Sequence, residues 1–381
     1  MTGPLISTGE LELEGKRLPR QSTHTILSNR QRVWRKFRRH KLAMVSGGIL
    51  FLMYSMVIFA DLLAPYGETT IDKNRSYISP TPLRIWDGKS LSWPFIYDKE
   101  EVFNPETLIN SFEEDRSKKY PLRLFVKGEP YKMWGVIPWD RHLFGVDPPA
   151  KIYLFGADLH GRDILSRLLF GGRVSLTIGY VALLLVIPIG MLVGGISGYY
   201  GGQIDNILMR VVEAFLSFPS FYLLLALAAT LPINISSVQR FLLIVAILSF
   251  VNWAGLARVI RGQVLAIREM EYIASARAMG SSDLRIIVKH ILPQTSSWVI
   301  VSASLSVPIY ILFESGLSLI GLGIQEPYAS WGNMLFEARK VSSLSLHPWI
   351  LVSGAAITLS IMAFNFLGDG LRDAFDTKKR I

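Results

Sequence analysis

The sequence predicts an all-α polytopic membrane protein of six transmembrane helices, with a small mixed extracytoplasmic insertion between the first two. Three observations predict it. Half of the 381 residues are apolar although 40 Lys and Arg remain, and long charge-free runs reconcile the two figures, since a helical span needs about 20 apolar residues. The basic residues gather between those runs. The hundred or so residues between the first two runs are close to charge-balanced, with 16 basic and 15 acidic side chains over 66–173.

The chain divides as follows. Residues 1–41 form a basic N-terminal tail, mixed and polar over 1–28, with 31–41 suited to a basic helix on the membrane surface. Residues 29–41 hold seven Lys or Arg and no acid, which the positive-inside rule places in the cytoplasm. No early apolar run with a small-residue cleavage site precedes the first span at 42–60, so a retained anchor is expected. That helix occupies 42–64 and ends at Asp61 and Pro65.

The extracytoplasmic insertion and the segment before helix 2 cover 65–170. Trp86, Trp93, Trp134, Trp139, Pro94, Pro121 and Pro130, with strand-like alternation at 122–126, suit a small folded unit. From Gly156 an amphipathic helix leads toward the second span. Ile164, Leu165, Leu168 and Leu169 make its apolar stripe, Asp163, Arg167 and Arg173 its polar face, and Asp158 or Asp163 its cap.

The apolar core, 171–373, carries spans at 174–196, 214–231, 241–257, 297–320 and 348–368. Six crossings return the tail 374–381, with Lys378, Lys379 and Arg380, to the cytoplasmic side. Gly190, Gly194 and Gly198 form a ridge for close helix packing, within the chain or on a second subunit.

Several chemistries are excluded. The net charge of +10 brackets the spans, which suits anionic membrane lipids and argues against nucleic acid. With no cysteine there is no disulfide, thiolate metal site or thiol nucleophile. Gly88-Lys89-Ser90 ends like a phosphate-binding loop, but Leu83 stands where the first Gly is required. The six His residues lack metal-ligand spacing, so no metal is expected. His160 beside Asp163 reads as a surface loop pair. No catalytic residue is expected.

Residues 271–294 are a polar, basic island in an apolar half. Two short helices are expected, hinged at Gly280 and stopped by Leu292 and Pro293. Ala274, Ser275, Ala276 and Ala278 leave room for another surface, fringed by Arg268, Glu271 and Arg277. Gly280 permits the positive φ of a tight turn. Leu284, Ile287, Val288 and Ile291 share a face at helical spacing, away from Asp283, Arg285 and Lys289. Composition leaves a docking element and an ordinary amphipathic helix both open.

Two acids fall within the apolar runs. Glu213, with Arg210 one turn earlier, and Glu314, beside Ser315, are candidate pathway residues. They would line a pore, bond helix to helix, or relay ions in a secondary carrier.

The island resembles the EAA motif of ABC importer permeases. Ala276, Gly280, Leu292 and Pro293 match, with small residues at 274 and 275. The motif's Glu falls on Ala274 and its Ile on His290, departures similar to the oligopeptide, dipeptide and nickel branch. Further resemblance lies in Gly161-Arg162-Asp163 with Leu165-Ser166-Arg167, in Glu314-Ser315-Gly316-Leu317-Ser318 with Gly321-Leu322-Gly323, and in Ser330-Trp331-Gly332-Asn333-Met334-Leu335. Asn365-Phe366-Leu367-Gly368-Asp369-Gly370-Leu371-Arg372-Asp373 completes it, so the likeness spans about 142–376. The long outer loop and the doubled Leu-Phe-Gly-x-Asp phrase at 143–147 and 154–158 are similar to Yej-type permeases of peptide and microcin C uptake.

The resemblance implies the type I ABC importer permease fold in a bacterial inner membrane, with both termini cytoplasmic. It implies a non-catalytic subunit moving peptides or peptide-like solutes. Its partners would be separate ABC ATPase subunits that hold the ATP and Mg, a second homologous permease and an extracytoplasmic solute-binding protein. No cofactor is expected on this chain. The coupling loop, 259–296, would act through Glu271, Ala274, Ala276, Arg277, Gly280, Asp283, Leu292 and Pro293. An ion-coupled carrier using Glu213 or Glu314, and a membrane receptor, are the alternatives.

Overall fold

The computed structural model describes residues 29–86, 90–104, 109–232 and 234–375. The tail 1–28, the Gly88-Lys89 pair and the C-terminal basic residues lie outside the described residues. Among the described residues five helices are long and apolar enough to cross a bilayer, and a bent pair, taken as one span, makes a sixth.

The basic helix α1 (Asn29–Arg39) breaks at His40, whose ring accepts the Ala43 N–H at 3.1 Å and so caps α2 (Lys41–Ile58). A single turn, α3 (Ala60–Leu63), ends this hairpin-free first crossing. The insertion is antiparallel throughout. β1 (Arg84–Trp86), β2 (Leu91–Asn104) and β3 (Ile109–Pro121) form one sheet in that order, and β4 (Arg123–Met133) with β5 (Ile137–Gly145) form a separate hairpin. The alternation at 122–126 thus falls at the start of β4. Ile96, Tyr120, Val146, Ala150 and Ile152 bury the insertion's small core.

The lead-in helix and the second span are one element, α4 (Ile164–Tyr200). Its cap is Asp163, which accepts the Ser166 N–H at 2.8 Å and the Ser166 hydroxyl at 2.7 Å. At roughly 1.5 Å per residue its 37 residues outrun a hydrocarbon layer of about 30 Å. The third span is not the straight helix expected at 214–231. It is α5 (Gly202–Ser217) and α6 (Ser220–Ala229), bent by 81°. Pro219 has no N–H and keeps the preceding Phe218 extended, which breaks the helix there.

α7 (Ser237–Ile267) starts at a capping box in which Ser236 and Gln239 bond each other's backbone. It runs ten residues past the expected end, so Arg261 stands on a helix rather than in the loop expected over 259–296. α8 (Glu271–Ala278) follows, and Gly280 turns the chain at φ +76°.

The second short helix departs from expectation. α9 (Asp283–Arg285) passes into a π turn over Ile286–Ile291, a 3-10 turn over Leu292–Thr295, and then α10 (Ser296–Leu319) without a break. Pro293 does not stop the chain, because it stands in the first turn of a new helical segment, where a missing N–H costs little. Past α10 come the short α11 (Trp331–Met334) and α12 (Val341–Leu346), then α13 (Val352–Phe375).

α4 and α7 pack most closely, and the glycine ridge is the reason. A Cβ at Gly194 would lie 2.4 Å from the Ala257 carbonyl oxygen, and one at Gly198 2.8 Å from that of Arg261. The ridge therefore serves packing within the chain. Around this pair Leu176, Leu248, Ile311 and Phe364 form the bundle core with α10 and α13. At one end, called the basic end below, Gly370 of α13 meets Ala43, Phe37 and His40. The opposite, insertion end joins the outer segment to the bundle.

Candidate functional site

The polar island sits at the basic end as a shelf below α4. The π turn explains its inner face. Five-residue spacing brings Ile286 over Ile291 and Ile287 over Leu292, and all four are buried with Ile273 and Ala276. The expected stripe therefore splits. Ile287 and Ile291 point inward, whereas Leu284 and Val288 are exposed. Met279, 79% exposed at the turn, Tyr272 and Leu284 are exposed apolar side chains on the shelf. Around them stand the exposed Glu271, Ala274, Arg277, Gly280, Asp283 and Pro293. Of the eight expected site residues, Ala276 and Leu292 are structural and face the core.

Polar links tie this shelf to the bundle. The Tyr199 hydroxyl donates to Asp283 Oδ1 at 2.7 Å, and the Arg277 guanidinium lies 5.4 Å from the Tyr199 ring centre. Arg268 donates to the carbonyls of Gly198 and Tyr199 at 3.0 and 3.3 Å, which satisfies the end of α4. One level in, Arg261 of α7 makes two hydrogen bonds of 2.5 Å to Asp205 of α5, and Ser197 of α4 donates to the same carboxylate. Three helices thus share one charge pair at the root of the shelf. The sequence marked neither residue, since a lone Asp after Gly-Gly and an Arg near a span end do not reveal that they meet.

The two suspected intramembrane acids have separate partners. Glu213 pairs with Arg210 at 3.2 Å, as expected, but both are exposed on α5. Glu314 is fully buried. It accepts the Ser318 hydroxyl at 2.7 Å and the Ser175 hydroxyl at 3.1 Å, with Ser315 at 3.5 Å. Ser175 in turn accepts the Trp331 N–H, and Ser318 that of Ile324. Glu314 therefore joins α4, α10 and α11 as a helix-to-helix bond.

A groove of about 310 Å³ between α4, α7 and α10 escaped the sequence reading. Its walls are mostly apolar, with Asn252, Ser302 and Ser306 as polar points. Asn252 amid an apolar run, and serines four apart, were the available signals.

At the insertion end Glu326 receives Arg162 in a close ion pair and Arg167 at 3.1 Å. Arg162 also holds Asp158 at 2.7 Å. Both arginines are buried, so the Arg162 to Arg167 stretch of α4's start is a structural latch on the loop after α10. Asp163 caps α4 through Ser166, while the His160 backbone N–H bonds Asp158. The expected His160–Asp163 loop pair is not what the structure builds. No cluster of three metal-ligating side chains occurs among the described residues.

A bundle of apolar crossings with an exposed apolar-and-polar shelf bonded to its helix ends is the architecture of a membrane-embedded subunit. The chain belongs to the family described as binding-protein-dependent transport system inner membrane component, whose model matches residues 187–381. The N-terminal TM domain of oligopeptide transport permease C matches residues 28–80. The chain is 40% identical over 256 residues to the oligopeptide transport system permease protein OppC of Haemophilus influenzae, across 64% of this chain and 80% of that protein. It is 41% identical over 234 residues to the dipeptide transport system permease protein DppC of Bacillus subtilis, across 61% and 71%. OppC of Escherichia coli is 42% identical over 229 residues, across 60% and 73%.

Proposed function

We propose that this chain is the peptide-translocating permease of an ATP-driven importer, with the basic end in the cytoplasm and the insertion outside. The observation that carries the coupling role is the exposed shelf around Gly280, bonded through Asp283 and Tyr199 to the end of α4. An ATPase seated on Met279, Leu284 and Val288 would pull on α4 directly, and through Asp205 and Arg261 on α5 and α7. ATP and Mg belong to that partner. Peptide as the cargo rests on the names of the oligopeptide and dipeptide permeases that the chain resembles.

Coupling of this kind requires ATP-bound partners to favour one permease conformation over another. A second permease would complete the pathway, with the groove at Asn252, Ser302 and Ser306 as this chain's contribution. A binding protein would deliver cargo at the insertion end. The seven Lys and Arg of 29–41 support the orientation.

Gly280→Pro tests the docking role. Proline fixes φ near −65° and cannot take the +76° found here. The variant should insert in the membrane and lose solute-stimulated ATP hydrolysis by the co-purified complex. Normal stimulation would refute the docking role.

A further inference from the structure

We infer that the tip of the β4–β5 hairpin is a lipid-contacting element, seated in the interfacial layer of the leaflet on the insertion side. The depth argument begins with α2. Its 18 residues span roughly 27 Å, close to the hydrocarbon thickness of about 30 Å. The helix starts directly after the basic α1, so Ile58 lies at the opposite hydrocarbon boundary.

The hairpin tip is fixed at that level. The Trp134 indole N–H donates to the Ile58 carbonyl at 2.8 Å, and its backbone N–H donates to Asp61 at 3.1 Å. Arg173 of α4 holds the same Asp61 at 2.7 Å. Further along β5, the His142 ring lies 2.5 Å from the Ala64 carbonyl oxygen. These bonds span α2, α3 and α4, so the tip has little freedom to lift away.

What the tip exposes is apolar. Val136 is 78% exposed, and Trp134, Ile137 and Trp139 are each about half exposed. The register pairs Met133 with Ile137 and Tyr131 with Trp139, which places these four on one face. Lys132, on the other face, is exposed beside them and suited to lipid phosphate. This surface continues into Phe59, whose ring is 5.9 Å from Trp134, and down α2 through Ile58, Leu52 and Phe51. Those helix residues are exposed at hydrocarbon depth, and the tip extends the same surface.

The backbone points the same way. Trp134 and Gly135 both have positive φ, +53° and +75°. Asn or Gly would meet that requirement at least cost. A bulky residue held there marks a role for its side chain. Tryptophan's amphipathic ring favours the membrane–water interface, and here its N–H satisfies the helix-end carbonyl of Ile58.

The chain has no cysteine, so an introduced cysteine is the one labelling site on this subunit, and the complex without it gives the background. Val136→Cys and Ile137→Cys would carry an environment-sensitive fluorophore in the full complex, reconstituted in phosphatidylethanolamine and phosphatidylglycerol nanodiscs. Lys118→Cys, on the other hairpin, is the exposed reference. The tip labels should emit at shorter wavelength than the reference. A spin label on the upper acyl chain should quench them, and aqueous iodide should not. Iodide quenching equal to that at Lys118→Cys would overturn the proposal. Quenching by neither agent would also overturn it, and would assign the tip to another subunit.

Discussion

Glu314 shows what a single residue decides in this bundle. A fully buried carboxyl inside apolar helices is costly unless its oxygens are satisfied, and three serines from two helices surround it. Glu314→Ala would remove the shared acceptor and leave a cavity between α4, α10 and α11. We expect a loss of about 2–3 kcal/mol in the stability of the complex, read as a lower melting midpoint in nanodiscs. Glu314→Gln retains one acceptor oxygen and should lose less. Equal midpoints for the two variants would show that hydrogen bonding at this site is not what holds the three helices. The sequence flagged Glu314 because a lone acid in an apolar run stands out. It could not show the pairing of Ser175 with Glu314, 139 positions apart. Asp205 and Arg261 were missed for the same reason, since partners on different helices leave no local trace.

At the scale of elements, spacing read well wherever the backbone kept one period. The glycines of α4 recur every four residues, and they do meet α7. Their substitutions should rank by what each new methyl meets. Gly194→Ala drives a Cβ toward a backbone carbonyl at 2.4 Å, whereas Gly190→Ala meets Leu256, at 2.8 Å from Cγ and Cδ2 and 2.9 Å from Cβ, so rotation clears the tip but not the root of that side chain. We expect Gly194→Ala to cost up to about 3 kcal/mol and Gly190→Ala less, about 1–2 kcal/mol. Thermal unfolding of the two would check the order, and a larger loss at Gly190 would contradict the packing assigned to the ridge. The misreadings occurred where the period changed. The π turn at Ile286–Ile291 replaces a spacing of 3.6 with one nearer five, so Leu284 and Val288 lie exposed while Ile286 is buried. The break at Phe218-Pro219 was written in the sequence, but an unbroken apolar run on both sides disguised it.

For the whole molecule, the question is how an insertion of about a hundred residues stays registered on a bundle that must change shape. The attachments are polar and lie at the insertion end. Glu68 accepts the Ala329 N–H at 2.6 Å, Trp349 donates to the Ala157 carbonyl at 3.1 Å, and the Tyr77 ring stacks on His347 at 4.0 Å. None was legible in the sequence, because each joins residues more than a hundred positions apart or lies flat in an aromatic stack. The Tyr77–His347 contact carries a pH dependence. Burial lowers the His347 pKa from its ordinary value of 6.5, so the fold favours the neutral ring. The stability this contributes is present above 6.5 and is lost as pH falls through the depressed folded value. Acidification should therefore weaken the His347 contact, against an opposite contribution from Glu68 and Glu337, whose pKa values burial raises so that their protonation favours the fold. Hydrogen exchange, corrected for the intrinsic effect of pH, should show protection falling at the Tyr77 N–H, which bonds the Asp158 carbonyl, and at the Ala157 N–H, which bonds that of Ile78. His347→Phe keeps an aromatic surface and removes this titration, so its protection at these amides should not fall over the same range. The same fall in the Phe variant would mean that another group drives the change, and the stack would then be packing alone.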